Sequence, residues 1–230
     1  MRVSLNLGRS NSKDVAIMVD ALRASATIIT ALQSFKRIIP VKKIHEAVNL
    51  AVKCEAILAG EREGAMIEGF DVGNSPVDIR NFQGEVLVLT TSNGTRILEN
   101  ISASTILIGS FINAQSVASI ASGFAKSHVE VIMAGVKDEF AIEDFLAAGE
   151  IITYLQDHEL DEEALAAVLA TTDPKKVDNA VLESNSAIRL HDLGLKKDIK
   201  FSLMRNIYNT VPLYKDGVIK EFELLNKNYR

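Results

Sequence analysis

The chain has 230 residues, 47% of them hydrophobic, and a net charge of −5. It is long enough for a sizeable buried core, and an acidic chain without a dense Lys/Arg run disfavours a nucleic-acid partner. The single cysteine, Cys54, excludes an internal disulfide framework and a cysteine-rich metal site.

The N-terminal segment MRVSLNLGRSNSKD lacks an apolar run of signal-peptide length. No stretch approaches the roughly 18 apolar residues of a membrane span. A cytoplasmic protein that does not enter the membrane is therefore expected.

Val15–Val19 is an apolar run ending at Asp20 and reads as a buried strand. Residues 25–35 have helical spacing, 37–41 read as strand, and 44–53 as a helix with Ile44, Ala47, Val48 and Ala51 on one face. Strands follow at 55–59, 85–90 and 105–108, a helix at 113–125, a strand at 129–134 and a long helix at 139–155. Three further helices are predicted at 160–171, 173–182 and 184–193, with Gly194 as the stop for the last. Residues 209–214 and 217–224 read as a closing hairpin around Lys215-Asp216-Gly217.

This alternation predicts a three-layer α/β/α fold, with a mixed, mostly parallel sheet covered by helices on both faces. No Pro/Gly/Ser-rich linker interrupts it, so a single domain is expected over residues 1–230. An internal repeat is also visible. Residues 54–70 (CEAILAGEREGAMIEGF) align without a gap on 129–145 (VEVIMAGVKDEFAIEDF), with seven of seventeen positions identical. Residues 17–24 can likewise be laid on 107–114. The repeat implies two related halves, about 15–100 and 101–224, whose strand ends face one cleft.

In open α/β sheets, ligands bind beyond the carboxyl ends of the strands, so the residues after each strand are the ones to read. Asp20-Ala21-Leu22-Arg23-Ala24-Ser25-Ala26-Thr27 places a carboxylate, a guanidinium and two hydroxyls at a strand-to-helix turn, where free backbone N–H groups suit an anion. The plainer reading is an Asp20 cap and a surface Arg23. Gly60-Glu61-Arg62-Glu63-Gly64 and the stretch to Asn74-Ser75-Pro76 offer glycines for close backbone approach, or form ordinary loops. Thr90-Thr91-Ser92-Asn93-Gly94-Thr95-Arg96 combines neutral donors, a glycine and a cation, as a phosphate cradle does. A capped turn is its alternative. Glu143-Asp144 stands in an apolar setting and, with Asp20, could hold Mg²⁺ through hard oxygen ligands.

VDALRASATIITAL (19–32), LAGEREG (58–64), IEGFDVGNSP (67–76), LTTSNGTR (89–96), GSFINA (109–114), IEDFLAAGEI (142–151) and LGLKKDI (193–199) resemble, in order and spacing, the motifs of the 2-phosphosulfolactate phosphatase family. Ala26, Glu63 and Ser92 depart from its pattern. The resemblance implies a cytoplasmic, Mg²⁺-dependent phosphatase acting on (R)-2-phospho-3-sulfolactate, a step of coenzyme M biosynthesis.

Catalytic roles are then expected for Asp20, Arg23 and Glu143, and Mg²⁺ ligation for Asp20 and Glu143, with Asp144 as alternate. Ser25, Thr27, Arg62, Asn74, Ser75, Thr91, Asn93, Gly94, Thr95, Arg96 and Asn113 are expected around the substrate. A homodimer is expected, since two-fold assemblies are the commonest. The competing function is a non-catalytic sensor of a small phosphorylated acid.

Overall fold

A computed structural model describes residues 1–92, 97, 98, 100–137 and 139–223. The strands are β1 (Arg2–Leu7), β2 (Val15–Val19), β3 (Phe35–Pro40), β4 (Ile57–Arg62), β5 (Ala65–Met66), β6 (Gly84–Thr90), β7 (Thr105–Gly109), β8 (His128–Met133), β9 (Glu159–Leu160), β10 (Pro212–Lys215) and β11 (Val218–Glu221). The helices are α1 (Ala24–Ala31), α2 (Ile44–Cys54), α3 (Ala114–Phe124), α4 (Ile142–Thr153), α5 (Glu162–Ala170), α6 (Pro174–Leu182), α7 (Asn185–Asp192) and α8 (Lys196–Ser202).

The strands form one sheet in the order β5-β4-β6-β3-β11-β10-β7-β2-β8-β1-β9. β4, β6 and β3 are mutually parallel, and so are β7, β2, β8, β1 and β9. The β10–β11 hairpin joins the two blocks through antiparallel pairing on both sides. The two blocks therefore run in opposite directions. A flat sheet would put their carboxyl ends on opposite edges, yet residues at the ends of β2, β8 and β4 line one cavity. The sheet curls to bring them together.

Side-chain alternation separates the layers. Ile17, Val19, Leu107, Val129 and Val131 face one cluster, with residues of α3, α4 and α5 packed over them. Ala16, Met18, Ile106, Ile108 and Ile132 face the other way, toward Ile28 and Ala31 of α1 and toward Leu87 and Leu89. Val86 and Val88 pack under Ala47 and Ala51 of α2. The expected mixed three-layer architecture is the one observed.

The strand grouping follows sequence halves only in part. β2 lies between β7 and β8. Within that pairing Ile17 stands opposite Leu107, the residue that the repeat alignment lays over it.

Some elements differ from expectation. The helix expected at 139–155 begins only at Ile142. Val136 and Glu139 exchange backbone hydrogen bonds of 3.0 and 2.9 Å, and that antiparallel pairing keeps both residues out of the helix. The helix expected at 25–35 stops at Ala31, because Phe35 already opens β3. β1 was not expected, although RVSLNL alternates polar and apolar residues, and Val3 and Leu5 are buried.

Glu130 of β8 is fully buried, and its carboxylate organises the loop after β1. It accepts hydrogen bonds from Asn6 Nδ2 (2.8 Å), Ser10 Oγ (2.7 Å), Asn11 N (3.0 Å) and Ser12 N (2.9 Å). Bonds to a charged acceptor are worth about 1.5–3 kcal/mol each, and orphaned buried donors add a penalty. Glu130→Ala should lower unfolding stability by at least about 3 kcal/mol in a urea titration. A loss below about 1 kcal/mol would show that water replaces the carboxylate there.

Candidate active site

A cavity of about 840 Å³ opens where the curled sheet brings its strand ends together. Asp20 and Arg23 reach it from the turn after β2, Glu61 from β4, and Asn74 from the loop before β6. Lys137 enters from the turn after β8, and Glu143 from the first turn of α4. Ser184, Asn185 and Ser186 at the start of α7, with Arg189 further along it, form another wall.

Six carboxylates line the cavity among the described residues (Asp20, Glu61, Glu63, Glu139, Glu143 and Glu183) against three cations (Arg23, Lys137 and Arg189). Asp20, Glu61 and Glu143 are buried, as is Arg23. Burial pushes the Asp20 carboxyl up to about 7, and the nearby charges of Glu61 and Glu143 push the same way. The Ala24 N–H, 3.3 Å from Asp20 Oδ1, and the Arg23 guanidinium oppose them.

Strand alternation sorts Glu61 from Arg62. β4 continues through both, so their side chains leave opposite faces. Glu61 turns inward, where one carboxylate oxygen accepts from Gly64 N and the other from Ser92 N, each at 2.7 Å. Arg62 turns away. It donates to the Glu61 carbonyl oxygen (2.6 Å), the Lys42 carbonyl oxygen (2.9 Å) and Thr90 Oγ1 (2.9 Å), and does not line the cavity.

Neighbouring positions on α4 divide in the same manner. Glu143 faces the cavity, and among the described residues no donor is bonded to its carboxylate. Asp144 points beneath it. Asp144 Oδ1 accepts from Ala21 N at 2.7 Å and Oδ2 from Gly135 N at 2.9 Å. Burial is the main reason its carboxyl is raised, with Asp20 and Glu143 adding to the effect. Gly135 has φ +64°, and a Cβ there would sit 2.3 Å from the Glu139 carbonyl oxygen, so the turn requires glycine.

Arg23 is buried against Asp198 of α8. Its Nη2 donates to the Gly64 carbonyl oxygen at 2.7 Å. Ser75 Oγ donates to the other Asp198 oxygen at 2.7 Å. Asn74 is buried, and its Oδ1 has no hydrogen-bond partner.

The cavity thus gathers Asp20, Arg23, Asn74 and Glu143 of the residues singled out in the sequence. Ser25 and Thr27 are buried within α1 and do not line it. Ser25 Oγ accepts from Asp20 N at 2.9 Å, while Thr27 Oγ1 is unpartnered. Asn113 is also elsewhere, with its amide nitrogen donating to the carbonyl oxygens of Ile108 and Thr210. Thr91 is buried beside the cavity without lining it. Asn93, Gly94, Thr95 and Arg96 lie outside the described residues.

The sequence matches the family described as 2-phosphosulpholactate phosphatase over residues 3–217. It is 48% identical to the 2-phosphosulfolactate phosphatase of Methanothermobacter thermautotrophicus, covering 99% of this chain and 98% of that protein. The chain belongs to the 2-phosphosulfolactate phosphatase family. The 2-phosphosulfolactate phosphatase of Methanocaldococcus jannaschii is 39% identical, over 88% of this chain and 89% of that one. A protein of Thermotoga petrophila named probable 2-phosphosulfolactate phosphatase is 36% identical, over 90% and 92%.

In this family member, sequence reasoning missed Glu61, Asp198, Lys137 and Arg189. Glu61 was legible once β4 was extended by two residues. Asp198 stands in LGLKKDI, one of the quoted motifs, but nothing in its local pattern names Arg23 as its partner. Among the described residues no helix is long and apolar enough to cross a membrane.

The raised carboxyl of Asp20 has a definite pH signature. Between its ordinary value of 3.8 and about 7, the folded protein binds a proton that the unfolded chain releases. Its stabilising contribution is therefore present at low pH and lost as pH rises through about 7. Without divalent cations, the melting temperature should rise as pH is lowered from about 8 to about 6. Asp20→Asn should flatten that slope. An equal slope in both proteins would remove Asp20 as its source.

Proposed function

We propose that the cavity hydrolyses the phosphate ester of a small anionic acid, with 2-phosphosulfolactate as the substrate, and that Mg²⁺ assists. The observation carrying this reading is a buried carboxylate set facing a cavity in a chain so closely related to named phosphatases. Such a floor repels a phosphate dianion unless a cation stands between them.

The donor chemistry fits Mg²⁺. Among the described residues no three His, Cys, Asp or Glu side chains form a complete metal cluster. Mg²⁺ does not need one, because it is commonly held by one or two carboxylates with waters and substrate phosphate. Asp20 and Glu143 would hold it, and the unpartnered Oδ1 of buried Asn74 is a further hard oxygen on the same cavity. Asp144 has both oxygens engaged by backbone N–H groups and serves as a brace. When bound, Mg²⁺ would neutralise ester charge and acidify water.

The chain's own groups supply orientation. Asp198 and the Gly64 carbonyl oxygen fix the Arg23 guanidinium through two of its five N–H groups, leaving others for phosphate oxygens. Glu61 ties the turn at Gly64 to Ser92, where the Thr90–Arg96 segment begins. Burial of this floor keeps bulk water from screening the charges.

The deciding experiment is inorganic phosphate release from 2-phosphosulfolactate and other phosphorylated 2-hydroxy acids, with and without Mg²⁺. Release that requires Mg²⁺ is expected. No release from any ester would leave a non-catalytic binder, and full activity in a chelator would remove the metal. Glu143→Gln should cut turnover at least about tenfold and raise the Mg²⁺ requirement, since a carboxylate ligand becomes a neutral amide. Arg62→Met should change kcat/KM by less than about threefold, because that side chain lies off the cavity, while the loss of its three hydrogen bonds should appear as lower stability. A hundredfold loss would put Arg62 back in the site.

A further inference from the structure

Substrates of this kind carry a second anionic group besides the ester phosphate, and the cavity has a place for it. The three cations lining it differ in what they already hold. Arg23 is paired with Asp198, and Lys137 lies 3.7 Å from Glu63. Arg189, on α7, has no carboxylate partner among the described residues.

It stands beside Gly64, as Arg23 does. A Cβ added at Gly64 would lie 3.7 Å from Arg189 Cδ, and the Gly64 carbonyl oxygen takes the 2.7 Å hydrogen bond from Arg23 Nη2. The guanidinium of Arg23 and the side-chain stem of Arg189 therefore flank one glycine, which has φ +88°. Ser184, Asn185 and Ser186, at the start of the same helix, add small polar side chains to that wall. Asp20, Glu61 and Glu143 line the same cavity, and Glu61 accepts from Gly64 N at 2.7 Å. A space of about 840 Å³ accommodates a small substrate that reaches both Arg23 and Arg189.

We propose that Arg189 binds the second anionic group of the substrate, a carboxylate or sulfonate, and thereby selects phosphorylated acids over simple phosphate esters. This rests on the phosphatase reading of the cavity. Arg189 is a specificity residue, carried by a different element from Asp20 and Glu143. A guanidinium matches either anion with two parallel N–H bonds, which lysine cannot do.

Arg189 is exposed on a helix surface, so Arg189→Ala should fold normally. Two measurements test the assignment. The first is the ratio of kcat/KM for 2-phosphosulfolactate to that for 4-nitrophenyl phosphate, which lacks the second anionic group. The ratio should fall about tenfold or more in Arg189→Ala, with partial recovery in Arg189→Lys. The second is calorimetric binding of sulfoacetate, which has a carboxylate and a sulfonate but no phosphate. Its affinity should fall by a similar factor. An unchanged ratio, or sulfoacetate binding equal to wild type, overturns the proposal. If wild type hydrolyses neither ester while sulfoacetate binding still depends on Arg189, the phosphatase reading fails and the anion subsite stands.

Discussion

The ion pair between Arg23 and Asp198 joins residues 175 positions apart, and both side chains are 3% exposed. Its isolation from water makes it the constraint on which the cavity depends. Two charges are tolerated there because each has further partners, the Gly64 carbonyl oxygen for Arg23 and Ser75 Oγ for Asp198. One pair thus fixes α8, the turn after β2, the β4–β5 turn and the loop before β6. A buried pair of this kind adds little to net stability over a hydrophobic alternative, but breaking it is severe, since the remaining charge has no solvent. Such a pair defines which arrangement of loops is permitted more than how firmly the fold is held.

The carboxylates show how one small region separates structural from chemical tasks. Asp144 satisfies both oxygens with backbone N–H groups and thereby fastens α4 to the ends of β2 and β8. Glu143, next to it, faces the cavity without such satisfaction. Asp20 lies between these cases, with one modest hydrogen bond and a carboxyl raised to about 7. Gathering negative charge in this manner destabilises the unliganded fold. It is the expected signature of a site built to receive a cation or to exchange a proton.

The layer architecture was legible in the sequence because period-2 and period-3.6 patterns are strong in the buried elements. Val15–Val19 is an example, fully buried and identical in its limits to expectation. The strand ends also pointed to Asp20, Arg23, Asn74 and Glu143. What escaped were facts that arise only from assembly. Arg62 looks like an anion clamp in one dimension, yet a continuation of β4 by three residues puts it on the face opposite Glu61. Ser25 and Thr27 read as ligand hydroxyls at a helix start, but their helix is enclosed on every side. Nothing in the local sequence marks Arg189, and only the packing of α7 beside Gly64 brings it to the cavity.

The β10–β11 hairpin has a consequence for how the chain is made. Among the described residues every other strand of the sheet precedes it in sequence, yet the hairpin joins the block ending in β3 to the block ending in β7. Until the hairpin emerges from the ribosome, β3 and β7 each present an unpaired edge. Exposed edges recruit strands from other chains. A nascent polypeptide of this family therefore passes through a stage of two unfinished sheets with sticky borders, and the hairpin acts as a late zipper. Substitutions that weaken the hairpin turn would then reduce soluble yield during expression more than they reduce the stability of molecules already folded.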